Sequence, residues 1–272
     1  MSGPERTIRD LVEGGESLAA LGWRIIDAHA HLGPTGGFYI PRSGADDMVA
    51  MMDRLGIDRT MLASHLAVSC DAVRGNDLTA EAARRYPGRL HGYVVVNPHY
   101  PEEVEGELCR GYDVLGLHGI KLHPTFQDYS VSDPACAPVW RFAEERRVPV
   151  LSHTWDRDER CRPSLFAALA EAHPAVPFIL GHSGGTPAGK REAVAVAQAH
   201  PNVYLDICGS TLTRAELEWM VAEVGAERIL FGTDVPWLDP RFLIGKVVYA
   251  RLSAEEQRLI LGENIARLMG WD

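Results

Sequence analysis

Several features are missing from this 272-residue sequence, and each absence excludes a class of protein. No run of about 18 apolar residues is present, so we expect no membrane-spanning segment. The sequence has no Lys/Arg-rich run, and its 27 basic and 37 acidic residues give a formal net charge of −10. Nucleic acid is therefore not an expected partner. The first ten residues are polar and lack the apolar core of a secretory signal.

Cysteine is also scarce. The five cysteines form no C-x-x-C pair, and their number is odd. This pattern is typical of a reduced protein without a disulfide framework, so we expect a cytoplasmic location. The chain has no low-complexity tract, no obvious linker and no repeated sequence unit. We therefore predict a single domain over residues 1–272, with residues 1–23 as an N-terminal extension outside the main fold.

Eight short apolar runs alternate with helix-like segments along the chain. Most of these runs are apolar on both faces, which is typical of parallel strands covered on both sides. Their starts lie about 25 to 35 residues apart, the length of one βα unit. The pattern predicts an α/β fold, a (β/α)8 TIM barrel, with an open doubly wound sheet as the alternative. The predicted strands are 24–27, 59–63, 90–96, 119–122, 148–152, 178–181, 203–206 and 228–232.

Proline, glycine and capping patterns predict helices between these strands. Thr213 with Glu216, and Ser253 with Glu256, have the spacing of a capping box at a helix start. Proline near the start and glycine after the end mark other helices. The clearest predicted helices are 46–55, 101–110, 134–147 and 163–173.

The histidines are unevenly placed on this strand map. In a barrel the C-terminal ends of the strands converge on one mouth, where active sites form. Histidines placed for packing alone would not favour that end. Seven of the 11 histidines end or follow a predicted strand on this side: His29, His31, His65, His99, His123, His153 and His182.

Four residues at the predicted mouth form a candidate metal site. His29 and His31 form an H-x-H pair after the first strand, and residues i and i+2 of a strand face the same side. His153 ends the fifth strand and Asp234 follows the eighth. Three nitrogens and one oxygen suit one divalent ion, Zn²⁺ first, with Mn²⁺, Fe²⁺ or Co²⁺ as alternatives. Each residue alone has a structural reading, and Asp234 could instead cap the next helix.

Two residues are candidates for proton transfer beside that metal. His182 ends the sixth strand and would face the metal from a neighbouring strand, as the acid or base next to a metal-activated water. The alternatives for His182 are a ligand to a second metal or a structural role. Asp234 would bind the metal, hydrogen-bond its water, or do both, so we predict it as catalytic too.

These residues also carry a family resemblance. The chain resembles the amidohydrolase superfamily, in particular the amidohydrolase-related branch that includes aminocarboxymuconate-semialdehyde decarboxylase. The resemblance implies that His29, His31, His153 and Asp234 bind one metal and that His182 acts as acid and base. Some decarboxylases of this branch have Glu in place of the first histidine, and the presence of His29 favours the hydrolytic side. The similar segments are IIDAHAHLG (25–33), GIKLHP (119–124), VPVLSHT (148–154), FILGHSGG (178–185), NVYLDICG (202–209), ILFGTDVPW (229–237) and LILGENIARLMG (259–270).

Substrate contacts are predicted from Lys121, His123, Trp155 and Trp237, which lie at or after strand ends. In binuclear relatives a carboxylated strand-four lysine bridges two metals, whereas resemblance to the one-metal branch favours a structural or substrate-contacting Lys121. Arginines and flat aromatic side chains would suit a planar carboxylate, although surface loops often hold such residues. Cys161 and Cys208 are assigned packing roles. Further loop candidates are Phe38, Tyr39, Arg42, Phe126, Tyr129, Arg157 and Arg241.

The sequence therefore predicts a metal-dependent hydrolase whose activated water attacks a small amide, ester, lactone or carboxylate. The alternative is a non-hydrolytic decarboxylase or hydratase on the same fold. A barrel that binds a ligand without catalysis is a third possibility, and the complete set of five site residues argues against it. The expected partner is a small-molecule substrate, and the family resemblance implies a homodimer.

Overall fold

Eight parallel strands form one sheet in their sequence order, β1 to β8. The computed structural model describes residues 7–37 and 39–271. The sheet closes where the Ala28 amide donates to the Phe231 carbonyl (2.9 Å) and the Thr233 amide donates to the His29 carbonyl (3.2 Å). The predicted barrel is thereby confirmed over the open sheet. The strands are β1 Ile26–Leu32, β2 Arg59–Ser64, β3 Leu90–Val95, β4 Gly119–Leu122, β5 Val150–His153, β6 Phe178–Gly181, β7 Val203–Asp206 and β8 Ile229–Leu230.

Helices cover the outside of the barrel and connect its strands. None of those in the described residues is long and apolar enough to cross a membrane. The α-helices are α1 Ile8–Glu13, α2 Ala45–Leu55, α3 His65–Ser69, α4 Ala72–Arg85, α5 Pro101–Cys109, α6 Pro124–Gln127, α7 Ala137–Arg146, α8 Leu165–Ala172, α9 Pro187–Ala199, α10 Arg214–Val224, α11 Pro240–Val248, α12 Ala254–Arg258 and α13 Asn264–Met269. Short 3₁₀ segments cover Leu18–Leu21, Pro134–Cys136, His182–Gly184 and Ala226–Arg228, and π turns cover Arg110–Val114 and Leu259–Glu263.

The strands separate two apolar layers. One layer fills the barrel interior, and the other packs between the sheet and the helices. The Tyr93 ring is buried in the interior layer, and its hydroxyl donates to the Ala28 carbonyl at 2.8 Å. A buried hydroxyl with such an acceptor avoids most of the cost of losing water. Other interior residues are Ile26, Met61, Val95, Leu151, Ile179 and Leu230.

Strand β1 changes its inward-facing side halfway along. Its register with β2 shifts between Asp27 and Ala30, as at a β-bulge. Ile26 belongs to the interior layer, whereas Ala30 belongs to the outer layer. A bulge shifts the alternation of side chains by one residue. The shift brings His29 and His31 to the inner side at the mouth.

The sequence-based boundaries were correct for β4, β6 and β7. The prediction for β1 was wrong, because its ladder with β2 continues to Leu32 and therefore contains the H-x-H pair. The predicted helix end at Gly111 was also wrong, because the chain continues through a π turn there. The two capping boxes, at Thr213 and Ser253, are confirmed.

Candidate metal centre and active site

The imidazole of His29 lies at the centre of the mouth and is 1% exposed. Its Nδ1 lies 2.7 Å from Asp206 Oδ2, a carboxylate at the end of β7. Its Nε2 lies 3.8 Å from Asp234 Oδ1 and 2.6 Å from Lys121 Nζ. A carboxylate on Nδ1 fixes the orientation of the ring, an arrangement common behind metal-binding histidines. Nε2 is therefore the ring nitrogen that remains to bind a metal ion.

Asp234 brings its carboxylate to the same point from the segment after β8. Its backbone amide donates to the His29 carbonyl at 2.8 Å, and its φ of +60° lies in the left-handed region. Burial raises the pKa of Asp234 to about 7. The capping alternative for Asp234 is wrong, because Asp239 is the N-cap of α11.

The donor set around Asp234 Oδ1 fits a divalent cation. This oxygen lies 3.5 Å from His31 Nε2 and 3.8 Å from His29 Nε2, and it is buried without a hydrogen-bond partner in the part of the chain that is described. Two ligands about 2.1 Å from a tetrahedral ion would be about 3.4 Å apart. The spacing suits shared coordination better than direct hydrogen bonds.

A second grouping of possible ligands overlaps with this one. Among the described residues, ligand atoms of His29, His182, Cys208 and Asp234 all lie within 4.8 Å of one another. Residues 7–37 and 39–271 therefore contain one such group, a candidate divalent-metal site of His, Cys and Asp residues. His31 joins it through its 3.5 Å approach to Asp234.

The Cys208 thiol lies beside His29 Nδ1, and its sulfur is within 4.8 Å of a carboxylate oxygen of Asp234. Its Sγ donates to Asp206 Oδ2 at 2.8 Å and lies 3.0 Å from His29 Nδ1 and 3.1 Å from His182 Nδ1. Burial holds the pKa of the Cys208 thiol well above its usual value, which favours the neutral S–H that the hydrogen bond to Asp206 requires. The assignment of Cys208 to packing alone was wrong, since it connects two histidines of the site.

His182 lies next to His29, with ring centroids 5.1 Å apart. Its backbone and that of Ser183 are left-handed, with φ of +61° and +46°. Residues other than glycine adopt this backbone conformation at an energetic cost, and surrounding contacts must hold them there. The His182 amide donates to Asp206 Oδ2 at 3.2 Å, and Ser183 Oγ donates to the Asp206 carbonyl at 2.7 Å. Burial lowers the pKa of His182 to about 4, although nearby Asp206 acts in the opposite direction.

His153 and His123 extend the histidine cluster on the other side. The His153 ring centroid lies 4.8 Å from that of His182 and 4.3 Å from that of His123. His153 Nδ1 is buried and has no hydrogen-bond partner within the described ranges. His153 is therefore in the mouth, as predicted from the sequence, but it is outside the group of atoms within 4.8 Å.

Lys121 reaches the centre of the site from β4 and is only 1% exposed. Its Nζ contacts His29 Nε2 at 2.6 Å, so it lies where a metal ion bound to this nitrogen would lie. Burial lowers the pKa of Lys121 to about 8. A metal ion on the same lone pair would compete with this ammonium.

Flat side chains line the mouth above these polar groups. Trp237 stacks 5.2 Å from His31, and Phe126 stacks 4.0 Å from His123. Trp155 lies parallel to His153 at 6.2 Å. The side chains predicted to contact substrate thus lie beside the histidine cluster.

The remaining loop candidates are less well placed. Arg42, Arg157 and Arg241 are exposed, and Arg241 pairs with Asp239. Tyr39 is 92% exposed, and the Tyr129 ring is buried. Phe38 lies outside the described residues.

Three polar residues hold the site together although the sequence analysis gave them no role, and one of them, His65, was only counted among the histidines at the mouth. Asp206 orients His29, as described above. Asp27 accepts hydrogen bonds from Thr233 Oγ1 at 2.5 Å and from the His29 amide at 3.0 Å, and so connects β1 to the segment after β8. His65 Nδ1 donates to the Gly33 carbonyl at 2.6 Å, and its ring stacks on His31. The available signal for the two aspartates was an acidic residue ending an apolar strand.

Comparison with known proteins identifies the class. The model of the amidohydrolase family matches residues 26–271, and the chain belongs to this family. A curated relative from Polaromonas sp. (strain JS666), a gamma-resorcylate decarboxylase, is 25% identical; the match covers 71% of this chain and 77% of the relative.

Solved structures agree with the fold. The structure of 2,6-dihydroxybenzoate decarboxylase with 2,6-dihydroxybenzoate has a TM-score of 0.75 at 20% identity, covering 92% of this chain and 99% of the other. A dihydroxybenzoic acid decarboxylase from Polaromonas sp. JS666, with manganese and the inhibitor 2-nitroresorcinol, also has a TM-score of 0.75 at 20% identity, covering 91% and 97%.

These relatives contradict the hydrolase predicted from the sequence. The matched curated relative is a decarboxylase, and the alternative reading of a non-hydrolytic lyase agrees better with it. The inference from His29 was therefore wrong. Histidine and glutamate can both ligate a metal, so the identity of that one ligand does not choose between attack by water and loss of carbon dioxide.

Proposed function

We propose that this chain is a metal-dependent, non-hydrolytic decarboxylase of aromatic acids that carry a hydroxyl group next to the carboxylate. The observation that carries the proposal is the stacking of flat rings over a buried cluster of potential metal ligands. Trp237 and Phe126 border the mouth, and the unpartnered Asp234 carboxylate oxygen lies beneath it. The similarity to gamma-resorcylate decarboxylase supports the same reaction class.

In this proposal the metal is held by His29, His31, His153 and Asp234. The close approach of Asp234 Oδ1 to the Nε2 atoms of His29 and His31 supports three of these assignments. The place of His153 in the ring cluster supports the fourth. When bound, a divalent ion would supply positive charge that orients the substrate carboxylate and hydroxyl oxygen. Mn²⁺ and Zn²⁺ both suit such donors, and manganese is bound in the structure from Polaromonas.

His182 is assigned proton transfer to the substrate ring. Because burial lowers the pKa of His182 and keeps the resting imidazole neutral, His182 would first take up a proton from solvent. It would then pass this proton to the ring carbon that bears the carboxylate, where an adjacent hydroxyl raises the electron density. The electron pair of the carbon–carboxylate bond then returns to the ring, and carbon dioxide leaves. His182 returns to its neutral form, so the reaction takes one proton from solvent for each carbon dioxide and consumes no oxidant or reductant. Asp234 serves as ligand and as a second acid–base group at the same point.

The other residues would position the substrate. Trp237 on one side of the mouth, and Phe126 and Trp155 on the other, offer flat faces to an aromatic ring, and the planes of Trp237 and Phe126 are inclined by 70°. Contacts between aromatic rings contribute beyond simple burial. His123 lies between Phe126 and His153 and would contact the ring edge or its hydroxyl. Lys121 Nζ would leave His29 Nε2 when metal binds and would then be available to the substrate carboxylate.

We also propose a homodimer, supported by the family resemblance rather than by an interface in the described chain. Light scattering at micromolar concentration measures its mass directly. A single species near the chain mass of 29.9 kDa would contradict the dimer.

A substrate panel tests the proposed function. Metal-loaded protein would be incubated with benzoates that carry no, one or two hydroxyls next to the carboxylate, and separately with esters, amides and lactones. We expect carbon dioxide from the hydroxylated acids and no hydrolysis of the second group. Phe126→Ala, at the rim of the mouth, should weaken the binding of the acids without emptying the metal site. Absence of carbon dioxide from every acid would contradict the proposal.

A further inference from the structure

Lys246 on α11 is a buried ammonium that the proposed reaction does not use. It is 6% exposed, and its Nζ donates to the Gly209 carbonyl at 2.5 Å. Nζ also lies 4.7 Å from the centroid of the Phe242 ring. In the described residues, no carboxylate forms an ion pair with it. Asp206 and Glu216 act on this ammonium without contacting it, and burial still lowers the pKa of Lys246 to about 8. Keeping a lysine out of water without a direct ion pair costs stability.

The backbone that Lys246 holds forms the back wall of His182. Gly209 has a φ of +98°, and a methyl group added there would lie 3.1 Å from His182 Nδ1. The neighbouring Cys208 Sγ lies 3.1 Å from the same nitrogen. Any shift of the Gly209 carbonyl would therefore change the space behind the imidazole.

The left-handed backbone of His182 depends on the contacts that surround it, and the Gly209 backbone behind the ring is one of them. A residue held in a sparsely populated conformation relaxes when its surroundings loosen. His182 and Ser183 are both held by Asp206, which is directly followed by the segment that contains Gly209. Lys246 is the side chain of α11 that anchors that segment.

A second buried lysine anchors the same segment farther along. Lys190 Nζ on α9 donates to the Thr211 carbonyl at 2.9 Å and pairs with Glu216 at 3.0 Å. Thr211 Oγ1 in turn donates to the Gly185 carbonyl at 2.6 Å. Lys190 thus has a carboxylate partner, and it contacts the segment at a point that does not touch the His182 ring. It is therefore a matched control for Lys246.

We propose that Lys246 is a positioning residue for His182, acting through the Gly209 carbonyl. Its ammonium fixes the Cys208–Gly209 backbone against His182 Nδ1, so that the other ring nitrogen stays directed at the substrate. The inference rests on the proposed role of His182 in proton transfer. Lys190 contacts Thr211, and Thr211 contacts Gly185, so neither contact involves the His182 ring.

Lys246→Met, which keeps the length but removes the charge and donors, tests this role against Lys190→Met. Nitrogen NMR of the His182 ring, assigned by comparison with His182→Asn, reports its environment without turnover. We expect Lys246→Met to shift the His182 resonances and Lys190→Met to leave them in place. Decarboxylation by Lys246→Met should fall in kcat by about 10²-fold, the usual effect of a small misplacement. Its KM should stay within about twofold, because substrate binding is not altered.

A double-variant cycle separates positioning from general damage. In the His182→Asn background, Lys246→Met should cause no further loss of kcat, because the group it positions is already absent. Lys246→Arg, which keeps the charge and donors, should recover most of the activity. Lys246→Gln replaces the methionine variant if the latter does not fold, with the same expected direction.

Three results would overturn the inference: unchanged His182 resonances, an equal effect of Lys190→Met, or additive losses in the cycle. Failure of the proposed function looks different. In that case the wild-type chain releases no carbon dioxide from any aromatic acid, and the His182 resonances still decide the role of Lys246.

Discussion

Asp206 Oδ2 and His29 Nδ1 lie 2.7 Å apart, and both side chains are almost fully buried. The carboxylate also accepts from the Cys208 thiol and the His182 amide. One acidic residue at the end of β7 therefore orients a proposed metal ligand and the proposed proton donor together.

Asp206→Asn should weaken the metal site without removing a proposed ligand. The amide loses the negative charge that holds His29 Nδ1, and changes behind a ligating histidine usually cost 10- to about 100-fold in metal affinity. Competition with a metal-binding dye measures the effect. Asp46→Asn, at an exposed carboxylate, is the control. Equal affinities of the wild type and Asp206→Asn would show that this contact does not support a metal site.

His153→Ala should reduce metal occupancy from one divalent ion per chain to a small fraction. The proposed set then has only three ligands, and one coordination position opens to water. Elemental analysis after dialysis measures the content. His123→Ala is the matched control, because the His123 ring stacks on His153 but is not a proposed ligand. Full metal content in His153→Ala would remove this residue from the set.

Trp237→Ala should raise the KM for a hydroxylated benzoate by about fivefold, because it removes an aromatic face worth about 1 kcal/mol beyond burial. Trp237→Phe should recover much of this loss. Steady-state kinetics with a fixed metal concentration measures both. An unchanged KM in Trp237→Ala would place the substrate ring elsewhere in the mouth.

Ser253→Ala should lower the free energy of unfolding by about 1 kcal/mol, since its hydroxyl caps α12. For a domain of this size, that corresponds to about 2 °C in Tm. Calorimetry measures the shift. Ser253→Asp keeps an acceptor for the Glu256 amide and should stay close to the wild type. A loss of the same size in Ser253→Asp would assign the effect to something other than the cap.

Local patterns predicted much of the fold. Apolar runs predicted β4, β6 and β7, and the spacing of Thr213 and Glu216 predicted a capping box, because each feature depends on residues close in sequence. The bulge in β1 was not predictable in this way. It depends on pairing with β2, and it determines that His29 and His31 face inward.

The site was only partly visible in the sequence. Histidines at strand ends indicated where the mouth would be, and the structure brings His29, His31, His153 and His182 together there. Cys208 was assigned to packing because its partners in the site are 26 and 179 residues away in sequence. The reaction was predicted wrongly because the ligand types of a metal site do not specify the bond that breaks. That choice depends on the substrate that the surrounding walls admit.

The most direct test of the account follows the carboxylate carbon itself. Metal-loaded protein in D₂O would receive 2,6-dihydroxybenzoate labelled with carbon-13 in the carboxylate, with His182→Asn as the comparison. We expect labelled carbon dioxide and 1,3-dihydroxybenzene in equal amounts, with one deuterium on the carbon that held the carboxylate. We also expect a rate about 10²- to 10⁴-fold lower in His182→Asn, the usual contribution of a positioned acid. Retention of the label in the acid across the whole benzoate panel, together with hydrolysis of an ester or lactone, would contradict the proposed decarboxylation.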